Sequence, residues 1–207
     1  SFPLVAVASF SVGLVLAMQG TQVLKLFGAA NYIATSVAFT FVRGLGPLLA
    51  AIMLAARGGA GMGAELGSMR VTNQIDALTV SAVNPMKYLV VTRILACMLI
   101  LPLLAVAANL IGILGGLVVG VYQVGMTPTY YYTLTIKYLT LRDVLPGIGK
   151  TSIFGIIVGT VGCFHGYNTE HGTFGVGQAT KTSVVVSILL ILISDVLLTK
   201  LSLLLWP

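Results

Sequence analysis

The chain reads as an all-α membrane protein that crosses the bilayer five times. Two observations carry that reading. Of 207 residues, 57% are hydrophobic and only 8% are charged, against about 25% charged in an ordinary soluble chain. A large core cannot account for the deficit, because a soluble protein of this length still needs a polar surface. The apolar residues also fall into five runs, and each helical span needs roughly 20 such residues. Mean hydropathy is +1.04. The whole of 1–207 reads as a single transmembrane domain.

Residues 2–24 carry no charge and form the first span. The chain starts at Ser1 without Met or a basic leader, so this run does not read as a signal peptide, and the natural N-terminus is expected to lie upstream. Residues 25–31 make a short turn. A second span covers 32–56, with Arg43 as its one charge. Residues 57–85 are then polar and far longer than a membrane turn requires. The third apolar stretch is free of charge from 94 to 136, too long for one span, and Gly125 and Pro128 predict a helix end near Tyr122. Residues 127–143 hold Tyr130, Tyr131, Tyr132 and Tyr138. Tyrosine gathers where an apolar ring meets lipid and a hydroxyl meets water, so the segment reads as interfacial. A fourth span is predicted over 148–164, a glycine-rich loop over 165–180, and a fifth span over 183–205, containing Asp195 and ending at Trp206.

Gly112, Gly116 and Gly120 recur every four residues, as do Gly155 and Gly159. In lipid, small residues at this spacing let two helices approach closely.

Eleven basic and five acidic residues give a net charge of +6. No basic cluster of the kind that tracks phosphates appears, so lipid headgroups are a better match than nucleic acid. Charge does not orient the chain. The side of the polar insert carries Arg57, Arg70, Lys87, Arg93 and Lys181, and the other side carries Lys25, Lys137, Arg142, Lys150 and Lys200, an even count under the positive-inside rule.

The polar insert is helix-capable. A helix over 65–80 aligns Val71, Ile75 and Leu78, continued by Ala82, on one stripe. Leu66 and Met69 point elsewhere, Arg70, Gln74 and Asp76 occupy the remainder, and Asn84-Pro85 stops it. Such a helix either lies on the membrane surface or is gripped by a soluble partner. Periodicity favours neither.

Several chemistries are excluded. Gly149-Lys150-Thr151 looks like the end of a phosphate-binding loop, but Val144 stands where glycine is required and an apolar span follows. Gly59-Ala60-Gly61-Met62-Gly63-Ala64 follows a membrane span rather than a strand. Cys163, His165, Glu170 and His171 fit no zinc pattern, so neither metal nor cofactor is expected. Cys97 and Cys163 read as small buried hydrophobes. With five acids and two histidines, hydrolysis has little to work with.

Arg43, Lys150 and Asp195 fall inside or at the edge of spans. A charge near the bilayer centre costs on the order of 3 kcal/mol on insertion scales and usually pairs or faces water. Lys150 and Asp195 are candidates for an intramembrane pair. The rival reading is that Lys150 snorkels to the interface and Asp195 faces a cavity by itself.

The run from Arg43 to Leu78, RGLGPLLAAIMLAARGGAGMGAELGSMRVTNQIDAL, is similar to the permease family of Mla-type phospholipid ABC transporters. NPMKYLVVTRILA, LPLL, GGLVVG, KTSIFG and GVGQATKTSVV follow in the same order. The resemblance implies five spans, with an N-terminal interfacial helix that would precede Ser1. It implies a homodimeric permease in the bacterial inner membrane, with no ATP hydrolysis of its own. It places Ala64, Glu65, Leu66 and Gly67, with Met69, Arg70, Gln74 and Asp76, in a cytoplasmic coupling helix docked on a separate ABC ATPase dimer. A ring of periplasmic MCE domains, and a small regulatory subunit on the ATPase, are further implied partners. The lipid cavity would lie near the end of the first span and the start of the second, at Val23, Leu24, Phe27, Arg43 and Leu45. Position 44, usually acidic in the family pattern, is glycine here, so that acid's role is lost or moved.

The function expected is phospholipid movement between the inner membrane and a periplasmic carrier, driven by a partner's ATP hydrolysis. An ion-coupled secondary transporter is the alternative, but it needs intramembrane acids and inverted repeats, and only Asp195 qualifies. A non-transporting membrane scaffold is another, and would need no lipid cavity.

Overall fold

The computed structural model describes residues 1–170 and 172–205. Nine α-helices follow in order among them: α1 Phe2–Leu26, α2 Ile33–Thr40, α3 Gly46–Leu54, α4 Ala60–Val71, α5 Gln74–Val80, α6 Thr92–Val124, α7 Pro128–Tyr138, α8 Leu141–Tyr167 and α9 Gly172–Leu205. A 3₁₀ turn, Ala30–Tyr32, leads into α2, and π-helical turns occupy Phe41–Leu45, Ala55–Gly59 and Met86–Val91. No strand occurs among the described residues. Five stretches are long and apolar enough to cross a membrane: Phe2–Leu26, Ala30–Val71, Met86–Val124, Arg142–Tyr167 and Gly172–Ser202. The protein is an all-α, multi-pass membrane protein. Trp206 and His171 lie outside the described residues.

Four boundaries differ from the sequence-based expectation, each for a physical reason. The second span does not stop at Ala56. It runs on through the π turn Ala55–Gly59 into α4, a continuous 42-residue stretch, because the polar stretch that opens at Arg57 is itself helical and packs through Gly63 and Gly67. The surface helix over 65–80 is two helices. Asn73 adopts the left-handed conformation (φ 57°), which ends α4 and starts α5. Asn tolerates that region better than most residues. The loop over 165–180 is largely helical, since α8 continues to Tyr167 and α9 starts at Gly172 (φ 65°). The fourth span begins at Leu141 rather than at 148, with the Asp143 carboxylate satisfying the N–H of Thr140 just before it.

The chain divides into two compact units. One consists chiefly of Ala51–Pro102 and Thr151–Lys200. Within it, glycines set the packing of α4, α8 and α9. An added Cβ at Gly63 would lie 3.3 Å from the Thr180 Cα, and one at Gly166 would lie 2.8 Å from the Leu66 Cβ. Gly155 faces the backbone of Cys97 and Met98, and Gly159 faces Ile94. Cys97 and Cys163 are free and buried.

The other unit is built mainly from Phe2–Ala50 and Leu103–Lys150. Its core gathers Ala17, Ile33, Val37, Phe41, Val119 and Tyr131. Gly112 meets the Phe41 ring, Gly116 meets Val37 and Tyr131, and Gly120 meets Tyr131, so the four-residue repeat forms one packing face. Three of the tyrosines near 130 are exposed as an interfacial segment requires, but Tyr131 is buried. Its hydroxyl donates to the Ile113 carbonyl at 3.3 Å, and burial pushes the phenol far above the ordinary tyrosine range, so it remains a donor. Helix α7 starts with Pro128 in its first turn and Thr127 as cap, a favourable pairing.

Candidate functional site

Arg43 sits in the π turn Phe41–Leu45. Single π turns inside α-helices are frequent at functional sites. Here Phe41 and Val42 enter the core and Arg43 turns outward. Its Nε donates to Asp143 Oδ1 at 2.9 Å, and its Nη2 donates to the same oxygen. Its guanidinium lies over the Phe39 ring, 5.0 Å from the centroid. The Arg43 side chain is 56% exposed and that of Asp143 only 7%.

Asp143 belongs to the first turn of α8, where a carboxylate is favoured by the helix dipole. Its second oxygen, Oδ2, accepts from the Thr140 N–H at 3.0 Å and the Thr140 hydroxyl at 2.6 Å. The carboxylate beside Arg43 therefore comes from Asp143, 100 residues away, and not from position 44. An added Cβ at Gly44 would meet nothing within 4 Å. Close approach of α8 to this turn is permitted by Gly147, whose missing Cβ would strike the Val42 carbonyl.

Lys150 belongs to the same centre. It lies well inside α8, is only 5% exposed, and its Nζ donates to the Arg43 carbonyl at 3.4 Å. A π turn offsets the regular ladder and can leave a carbonyl for a side chain to satisfy. Asp195 is half-buried on α9.

The remaining residues of the expected lipid path follow α1 and the turn into α2. Phe27 is 78% exposed and Val23 is also exposed, while Leu24 packs on the core. Leu45 is half-buried. From Ile33 to Arg43 the helix rises about 15 Å, half the ~30 Å hydrocarbon thickness. The two groups are therefore not neighbours.

The 64–80 segment has a buried and an open face. Leu66 is fully buried and Gly67 faces Thr169, whose hydroxyl would lie 2.9 Å from an added Cβ. Gly67 thus admits another part of its own chain. Ile75 is buried, whereas Val71 and Leu78 are only half-buried and Ala82 is exposed, so the helix break divides the predicted stripe. Glu65 is 65% exposed and its Oε1 forms an ion pair with Arg93 Nη2 at 2.9 Å. Arg70 Nη1 bridges the break to Asp76 Oδ1 at 2.9 Å and stands over the Tyr167 ring at 6.0 Å. Ala64 and Met69 are half-buried and Gln74 is exposed. Asp143 and Arg93 are the partners that sequence reasoning missed. Nothing in their local sequence marks them, because each pair joins separate helices.

No three metal-ligating side chains gather among the described residues.

Five long apolar helices with glycine-packed interfaces define a polytopic membrane protein, and ion pairs join Arg43 to Asp143, Arg70 to Asp76 and Arg93 to Glu65. Residues 1–201 match the family model described as permease MlaE. The chain is 43% identical over 201 residues to a probable ABC transporter permease protein of Rickettsia typhi, covering 97% of this chain and 78% of that one. It is 37% identical over 188 residues to a probable ABC transporter permease protein of Synechocystis, covering 91% and 72%. It is 32% identical over 200 residues to the intermembrane phospholipid transport system permease protein MlaE of Haemophilus influenzae, covering 96% and 77%. The chain belongs to the MlaE permease family.

Proposed function

We propose that this chain is the permease subunit of an ABC transporter that moves phospholipid between the bacterial inner membrane and a periplasmic MCE-domain carrier, with ATP hydrolysed by a separate subunit. The observation that carries the reading is the family match across 1–201, together with the phospholipid-transport name of the Haemophilus influenzae relative. The geometry supports it at two places.

The first is the 64–80 segment. Glu65, Ser68, Gln74 and Asp76 are exposed and offer a polar surface to an ATPase. Leu66, Gly63 and Gly67 anchor the same segment to α8 and α9. A push on the exposed face is thereby transmitted to three helices together, since packed interiors deform little. The second is the stripe from Phe27 and Val23 to Arg43, apolar and exposed at one end and cationic at the other. A lipid tail fits the first and a phosphate fits the second. Two copies of the chain would enclose that stripe, and ATPase-driven movement of the pair would open and squeeze the cavity.

Purification of the tagged permease from its native membrane, with identification of co-eluting subunits and lipid, tests the reading. An ABC ATPase and phospholipid in the eluate are expected. A permease that elutes as an intact dimer with neither would contradict it.

A further inference from the structure

We propose that Asp143 sets the headgroup-charge preference at Arg43, by cancelling the guanidinium charge while offering no oxygen of its own to lipid. This rests on the reading that Arg43 lines the lipid path.

Both oxygens of Asp143 are committed to the protein. Oδ1 takes Nε and Nη2 of Arg43, and Oδ2 takes the N–H and hydroxyl of Thr140. The carboxylate is also buried, so it is poorly placed to receive a lipid amine. Arg43 is different. A guanidinium has five N–H donors, two of them aimed at Asp143, and five less two leaves three. With more than half of the side chain exposed and the Phe39 ring beneath it, those donors are held ready for a phosphodiester. The nearby Lys150 is turned inward to the Arg43 carbonyl, whereas Arg43 is exposed, as is Arg142 beside Asp143. Gly44 leaves the adjacent space open.

Such a site reads a phosphate by the hydrogen-bond geometry of Arg43, with that guanidinium's own charge offset by Asp143. Phosphatidylethanolamine, whose amine offsets its phosphate, is then held about as well as phosphatidylglycerol. Removing the carboxylate charge uncovers Arg43 and favours the anionic lipid. Asp143→Asn keeps an oxygen for Thr140 and removes the charge.

The test uses the full-length permease in the complex it purifies with, reconstituted in equal parts of the two lipids. A photo-crosslinker replaces Phe39 and captured lipid is identified by mass. The wild-type ratio should follow the bulk. Asp143→Asn should raise capture of phosphatidylglycerol over phosphatidylethanolamine on the order of fivefold, the size of one uncancelled charge at a partly solvated site. Adding Gly44→Glu to that variant should return the ratio toward wild type. Gly44→Glu alone leaves the α8 cap intact and should shift the ratio toward phosphatidylethanolamine, which keeps the test independent of any folding defect in Asp143→Asn. Lipid capture with an unchanged ratio in both single variants overturns the proposal. So does displacement of the lipid by excess free glycerophosphate, which would assign the site to a soluble phosphate. If Arg43→Gln captures as much lipid as wild type, the lipid-path reading at Arg43 fails, and the inference falls with it.

Discussion

The hydroxyl of Ser183 donates to the carbonyl of Gly59 at 2.9 Å across 124 residues of sequence. Gly59 closes the π turn that joins α3 to α4, and Ser183 is fully buried on α9. The bond fixes the base of the proposed coupling segment to the last span. Ser183→Ala removes the donor and leaves a buried carbonyl. Hydrogen bonds between membrane helices are worth about 0.6–2 kcal/mol, so the variant should lose about 1 kcal/mol. A melt in detergent should show a fall of a few degrees, and an unchanged midpoint would deny the bond its role.

The glycines of α4 divide by what they face. Gly63 lies against the Thr180 backbone, whereas Gly61 has nothing within 4 Å of an added Cβ. Gly63→Val should push α9 away and sharply lower the yield of folded permease. Gly61→Ala should be neutral or stabilising by about 0.5–1 kcal/mol, the helix-propensity gain. Equal losses at both positions would show that packing does not separate them. The same contrast tells what sequence could and could not disclose. Read from sequence, the second span ends at Ala56 because the residues from Arg57 onward are polar, and polarity does not show whether a segment leaves the helix. Here the helix continues to Val71, held through Gly63 and Gly67.

Glu65 and Arg93 pair on the side of α4 away from Gly63 and Gly67, with the carboxylate still largely exposed. Arg93 is only 20% exposed, so losing its carboxylate costs more than in a fully exposed pair, but Glu65→Gln keeps an oxygen for the guanidinium and should lower stability by only about 1 kcal/mol. Under the proposed coupling role, Glu65→Lys should reduce lipid-stimulated ATPase activity several-fold, because it reverses the charge of the docking face and repels Arg93. Normal stimulation with normal ATPase association would remove Glu65 from the coupling surface.

The five spans were legible because an apolar run of about 20 residues has few alternatives. The stripe of Val71, Ile75 and Leu78 was legible as a helical period, but the break at Asn73 was not, since a left-handed residue leaves the spacing of apolar side chains almost unchanged. The Arg43 centre was half legible. A lone intramembrane charge announces that a partner exists, but with five acids in the chain only the fold selects Asp143. Tyr131 was misplaced among its interfacial neighbours for the same kind of reason, since its burial depends on the gap opened by Gly116 and Gly120.

The exposed end of the proposed lipid path makes a separate prediction. Phe27 and Val23 stand beside the turn into α2, and Leu99 and Leu103 are equally exposed on α6. Crosslinkers at the first pair should capture phospholipid that survives stringent detergent washing. Those at the second pair should capture only exchangeable bulk lipid. Equal retention at all four positions would reduce the signal to the surrounding membrane.

Transport itself is the most direct test. The permease would be reconstituted with its co-purifying ATPase and carrier, with phospholipid photo-captured at Phe27 before and after ATP is added. The account predicts that ATP changes occupancy at Phe27, that Glu65→Lys abolishes the change, and that Leu99 shows neither effect. Lipid occupancy at Phe27 that is indifferent to ATP in an actively hydrolysing complex would contradict it.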